Sequence, residues 1–211
     1  MLRRPVMLAG LAATMLASLP ARANAAALFD FEGQPIGAQT PFTATAGGLG
    51  ATFAGPSDVD PGAFQLSYNS SSGPLGAPYR TLTGAFLTVG TAFGAVGSLL
   101  TIAFSAPLSA LSLRFALDDT TNATALSLTT DAGGAASARG ALSAGYRYPE
   151  GTLSFSGAAF TTVTLRSSAP DFQIDDVAAT TVPETAVPEP ASLAMLGAGL
   201  AVLALRRRAR G

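Results

Sequence analysis

The chain has 211 residues, with twelve arginines against thirteen acids and no cysteine, histidine, lysine or tryptophan. Without cysteine there is no disulfide framework. Without histidine, cysteine or lysine there is no Ser-His-Asp or Cys-His relay, no ordinary zinc site, no Schiff base and no Walker lysine, so carboxylates and tyrosines remain for acid–base chemistry.

At the N-terminus, Arg3 and Arg4 precede an apolar run over residues 6–19, and Ala21-Arg22-Ala23 or Ala23-Asn24-Ala25 supplies small residues for cleavage. This pattern predicts a secretory signal peptide over residues 1–25, a substrate of signal peptidase. Pro5 directly after the arginine pair, with no Ser or Thr ahead of it, argues against a twin-arginine signal. Residues 26–182 are then one expected domain. They hold five arginines and eleven acids, a net charge of −6 that the whole-chain value of −1 conceals. Such a surface excludes nucleic acid as a partner, because counterion displacement needs clustered positive charge.

Between these limits the sequence alternates large apolar and small polar residues, broken by Gly, Pro, Asp and Asn. That period of two predicts short strands. The earliest are expected at residues 28–32, 49–53, 63–68 and 80–89. Leu100, Ile102 and Phe104 share one face, and Leu111, Leu113, Phe115 and Leu117 another, so a strand, a turn at Ser105-Ala106-Pro107 and a strand are expected. Further runs are Leu126 with Leu128, before an Asp131-Ala132-Gly133-Gly134 turn, then Leu153 with Phe155, Val163 with Leu165, and Phe172 with Ile174. Residues 44–50 and 132–145 read as loops. About ten strands with no internal helix predict an all-β domain, a single antiparallel two-sheet β-sandwich of jelly-roll-like form.

Phe29-Asp30-Phe31-Glu32 opens the domain and Phe172-Gln173-Ile174-Asp175-Asp176-Val177 closes it, and the two segments are expected to be neighbouring strands. Phe172 and Ile174 point inward, so strict alternation would turn Asp176 inward and Val177 outward. A bulge, or a cation held by the acids, resolves that conflict. These ends resemble those of jelly-roll modules among extracellular carbohydrate-binding and adhesion domains. The resemblance implies a structural calcium, with Glu32, Asp175 and Asp176 as ligands; solvated strand-edge acids are the competing reading. Asp118 and Asp119 read as turn caps, although with Glu150 they could form the carboxylate pair of a glycosidase. Tyr146 and Tyr148, on one face of an extended segment with Arg147 between them, are candidates for stacking on a sugar of an exopolysaccharide.

The chain closes on a spacer at residues 183–187 and then on Val187, Pro188, Glu189 and Pro190, an uncharged stretch at residues 191–205, and Arg206, Arg207, Arg208 and Arg210. Proline at the start favours a new helix there. The stretch makes a helix of about 22 Å, which crosses a bilayer only if the arginines snorkel to the cytoplasmic headgroups. Residues 188–211 closely resemble the PEP-CTERM sorting signal of Gram-negative bacteria. The resemblance implies export, transient tethering in the inner membrane, cleavage by exosortase near the Pro-Glu-Pro tripeptide, and delivery to the cell surface or extracellular matrix. A non-enzymatic surface or biofilm-matrix protein is the expected function, with a carbohydrate-binding module and a carboxylate glycosidase as its rivals.

Overall fold

The computed structural model describes residues 26–56, 64–69, 79–90, 98–119 and 124–183, with residues 197 and 200. The chain divides into two units, one being Asn24–Pro183 and the other Met1–Ala23 with Glu184–Gly211. Of the second unit only Gly197 and Leu200 are described, both helical. The expected signal peptide, the linker beyond residue 183 and the sorting-signal residues Val187 to Pro190 and Arg206 to Arg208 thus lie outside the described residues. Among the described residues no helix is long and apolar enough to cross a membrane.

The first unit is nearly all β. Its strands are β1 (Ala26–Phe29), β2 (Phe42–Ala46), β3 (Leu49–Ala54), β4 (Phe64–Asn69), β5 (Gly84–Val89), β6 (Ser98–Leu117), β7 (Ala125–Thr130), β8 (Ala135–Arg139), β9 (Ala141–Leu142), β10 (Pro149–Ser167) and β11 (Phe172–Thr181). All pair antiparallel, in one hydrogen-bonded sheet whose main path runs β4-β5-β11-β6-β10-β7-β8. Three long strands, β11, β6 and β10, form its centre, and short strands share their edges. Along β11, strand β5 takes residues 172–174 and β1 takes residues 177–180. Along β6, strand β3 takes residues 101–104 and β11 takes residues 108–117.

This sharing explains where the chain departs from the sequence expectation. No turn separates Phe104 from Leu108, and β6 runs through Pro107. A proline is tolerated in a strand where no ladder amide is required, and Pro107 lies where β6 changes neighbour from β3 to β11 and its register with β10 slips. Its carbonyl still accepts from the Val182 amide at 2.9 Å. The two apolar runs expected around Leu153 and Val163 likewise fuse into β10, irregular between Ser156 and Thr162. Residues 44–50 form a hairpin. Gly47 and Gly48 have φ of 55° and 82°, the left-handed pair that a two-residue turn between twisted strands demands.

The two domain ends do pair, but displaced from the expected register: β1 stops at Phe29, so Phe29 pairs with Val177 and Ala26 with Thr180, while residues 30–32 lie outside the strand. Apolar side chains from most strands of the sheet then merge into one large cluster, which includes Phe53, Ile102, Phe115, Phe160, Val163 and Phe172. Phe53 is its aromatic hub, meeting Phe29, Phe31 and Phe42 with ring centroids 5.1 to 6.1 Å apart. A second, smaller cluster of Leu82, Phe86 and Ala116, flanked by Tyr79 and Tyr148, covers the opposite face of the central strands. Residues Phe172 to Asp175 of β11 are therefore buried on both sides. Truncating a fully buried aromatic leaves a cavity that the surroundings fill only partly. Phe53→Ala should lower stability by about 3–5 kcal/mol in guanidinium unfolding; a loss below about 1 kcal/mol would show that the aromatic cluster is not the centre of the core.

Candidate functional site

Strand β5 begins at Gly84, four residues later than the apolar pattern predicts, because the amides of Arg80, Thr81 and Thr83 are directed at acids instead of at a neighbouring strand. The Arg80 and Thr81 amides donate to the two carboxylate oxygens of Glu150, each at 2.5 Å, and the Thr81 hydroxyl donates to Glu150 as well. The Thr83 amide donates to Asp175 Oδ2 at 3.1 Å, and the Ala85 amide to Glu32 Oε1 at 3.0 Å. Arg114, on β6, closes the set by donating to the Thr81 carbonyl at 3.0 Å. Three carboxylates from three separate parts of the sheet thus hold one strap. A buried carboxylate is tolerated only when donors meet it, and hydrogen bonds to a charged acceptor are among the stronger ones, at about 1.5–3 kcal/mol each.

Gly84 is where this arrangement is least forgiving. It has a φ of +66°, and an added Cβ would come within 1.6 Å of Glu32 Oε1. Only glycine adopts the left-handed conformation freely and admits the carboxylate at that distance.

Asp175 and Asp176 occupy a β-bulge. The register of β11 with β6 shifts between Asp175 and Ala178, and Asp176 has a φ of +48°. The bulge is what returns Val177 to the core after Ile174. Buried Asp175 also accepts from the Asp176 amide at 2.7 Å, while Asp176 pairs with Arg114 at 3.1 Å. The chelating geometry implied for Glu32, Asp175 and Asp176 does not emerge: the first two turn their oxygens to amides and the third to an arginine. Among the described residues no group of three His, Cys, Asp or Glu converges to hold a metal ion. Burial, opposed by the two amides, pushes the Asp175 carboxyl up to about 6, with Asp176 adding repulsion and Arg114 relief.

Tyr146, Arg147 and Tyr148 are not an extended segment. They follow a turn in which the Tyr146 amide donates to the Ser143 carbonyl at 3.0 Å. Tyr146 is exposed, whereas half-buried Tyr148 stacks on Tyr79 at 5.2 Å with the Arg147 guanidinium 5.3 Å from its ring centre. Asp118 and Glu150, the acids considered for glycoside cleavage, differ in kind: both Glu150 oxygens are engaged with the strap. Asp118 stands beside Asp171, which with burial raises its carboxyl above the ordinary range against the pull of Arg147. Sequence reasoning missed the strap and the structural use of Glu150. The available signals were a glycine opening an apolar run, which marks special backbone, and a lone acid inside a strand, which must find donors.

Two outcomes follow from this geometry. Gly84→Ala should cost about 2–4 kcal/mol, from left-handed backbone and loss of the Glu32 hydrogen bond. In the Glu32→Ala background the same substitution should cost only the backbone part, which a double-mutant cycle by chemical denaturation measures. Folding lifts the Asp175 carboxyl from an ordinary 3.8 to about 6, so the folded chain holds a proton that the unfolded chain has released in that window. This contribution to stability is complete below pH 3.8 and is lost as the pH rises through 6. Asp175→Asn should accordingly gain stability relative to the unaltered chain between pH 4 and 7, seen as denaturation midpoints that converge or cross; a constant gap would refute the assignment.

No match is found among curated proteins. Among solved structures the chain is similar to the enzymatically active domain of bacteriophage CBA120 tailspike protein 4, with 14% identity and a TM-score of 0.34 over 63% of this chain and 19% of that one. It is also similar to the catalytic domain of a GH87 alpha-1,3-glucanase in complex with nigerose, with 16% identity and a TM-score of 0.36 over 73% of this chain and 31% of the other. A third is a family two carbohydrate esterase from Cellvibrio japonicus, with 12% identity and a TM-score of 0.30 over 67% and 37% of the respective chains. The chain thus spans well under half the length of each. At its C-terminal end residues 186–208 match the PEP-CTERM protein-sorting motif, which marks this chain as an exported protein sorted by exosortase.

Proposed function

We propose that this chain is a non-enzymatic protein of the cell surface or extracellular matrix. The observation that carries the proposal is the sorting motif at residues 186–208. In this reading signal peptidase removes residues 1–25, and the uncharged stretch at residues 191–205 tethers the exported chain in the inner membrane. The arginines after it stay on the cytoplasmic side. Exosortase then reads Pro188-Glu189-Pro190 and releases the domain to the outside. The domain folds its sheet over into two layers, a β-sandwich, because a single layer would leave one apolar face in water.

Two features support the absence of catalysis. Glu32, Glu150 and Asp175 are committed to backbone amides, and the chain has no histidine, cysteine or lysine to supply a conventional nucleophile or base. Replacing Pro188-Glu189-Pro190 by alanines, in a host that has exosortase, should leave the uncleaved chain in the inner-membrane fraction. Unaltered release into the medium, followed by immunoblot, would show that the tripeptide is not read.

A further inference from the structure

At one end of the sheet's outer face the chain gathers acceptors and aromatic rings around a single guanidinium. Asp118 follows β6 and Asp171 precedes β11, and the Asp118 amide donates to the Asp171 carbonyl at 2.9 Å, so the two acids are neighbours across the strands. Tyr148 directly precedes β10 and stacks on Tyr79. On β11, two residues past Asp171, Gln173 is only 5% exposed and its Oε1 has no hydrogen-bond partner. Its cross-strand neighbour is Ala116, a member of the small cluster on which both tyrosines pack. The buried carbonyl therefore belongs to the layer that the tyrosines cover, and an acceptor left unmet there is costly.

The electrostatics agree in sign. Burial and then the nearby acids push the Tyr79 phenol above the usual range, with Tyr148 first among its charged neighbours; Tyr148 is raised by burial and by Asp118. Arg147 acts the other way on both Asp118 and Tyr148. The carboxylate of Asp118 would be favoured by more positive charge nearby. A ligand for this place must carry that charge, donate N–H bonds to oxygens and lie against an aromatic face. A protonated primary amine does all three. A divalent metal ion does not suit, since no three acids converge among the described residues.

We propose that Asp118, Asp171, Gln173, Tyr79 and Tyr148 form a binding site for a protonated amine, with Arg147 standing in for the ligand on the ring of Tyr148. This site is independent of sorting. The amine could belong to de-N-acetylated amino sugars of a polysaccharide or to a free polyamine, and one titration separates the two.

The full chain in detergent is titrated calorimetrically with a glucosamine oligosaccharide, with its fully N-acetylated counterpart of equal length, and with spermidine. Binding of the glucosamine oligomer but not the acetylated one is expected, and binding of spermidine alone would assign the site to small polyamines. Asp118→Asn should weaken binding about tenfold, the equivalent of about 1.4 kcal/mol. Arg147→Ala should tighten binding by removing the internal competitor, a gain that a purely structural role for Arg147 would not produce. Equal binding of the acetylated oligomer, no binding of either amine, or indifference to both substitutions would overturn the proposal.

Discussion

The structure depends on one interaction: the backbone amides of Arg80, Thr81, Thr83 and Ala85 donating to carboxylates from distant parts of the chain. A strap that leaves the ladder exposes its polar groups, and a buried amide without a partner costs as much as a lost hydrogen bond. Glu150, Asp175 and Glu32 meet that demand from β10, from β11 and from the turn after β1. Because the acceptors come from different strands, the strap also registers those strands against one another. Leu82 is carried with it onto the outer face, where it closes over Ala116 and Phe86. Without the strap, β11 would be covered on one face only, and Asp175 would have no reason to be buried.

The same interaction decides what the acids are for. Eleven acids against five arginines in the domain invite a reading as cation ligands, yet a carboxylate that accepts amide hydrogens has already lowered its need for a cation. Asp175 shows the limit of that compensation: its two amide donors do not offset burial, and its carboxyl remains near 6. Asp175 thus serves order within the fold, while Asp118 and Asp171 lie at the strand ends, flanking β6 and β11.

Much of the fold is legible in the sequence because side-chain period and burial are linked directly. The strand at Leu126 and Leu128 follows from apolar residues at every second place, the turn at Asp131 to Gly134 from its turn residues, and the closeness of the two domain ends from domain anatomy. The bulge at Asp176 is legible too, since no regular strand could bury both Ile174 and Val177. The joins within β6 and β10 are not. A proline or a glycine-alanine run reads as a turn, and it continues as strand only because the neighbour changes at that point, which is a property of the whole sheet. The strap fails to show for a related reason: its acceptors lie tens of residues away, and no local pattern encodes amides that wait for distant carboxylates.

The sorting motif and the sheet therefore answer to different physics. The last bond of β11 to the body of the sheet is the Val182 amide on the Pro107 carbonyl, at 2.9 Å. The described hydrogen bonds of the strap and both apolar clusters fall before it. Among the described residues, none beyond Val182 supplies an acceptor to the strap or a side chain to either cluster. A cleavable tail is compatible with a stable domain only on that condition, and here it is met by where β11 ends.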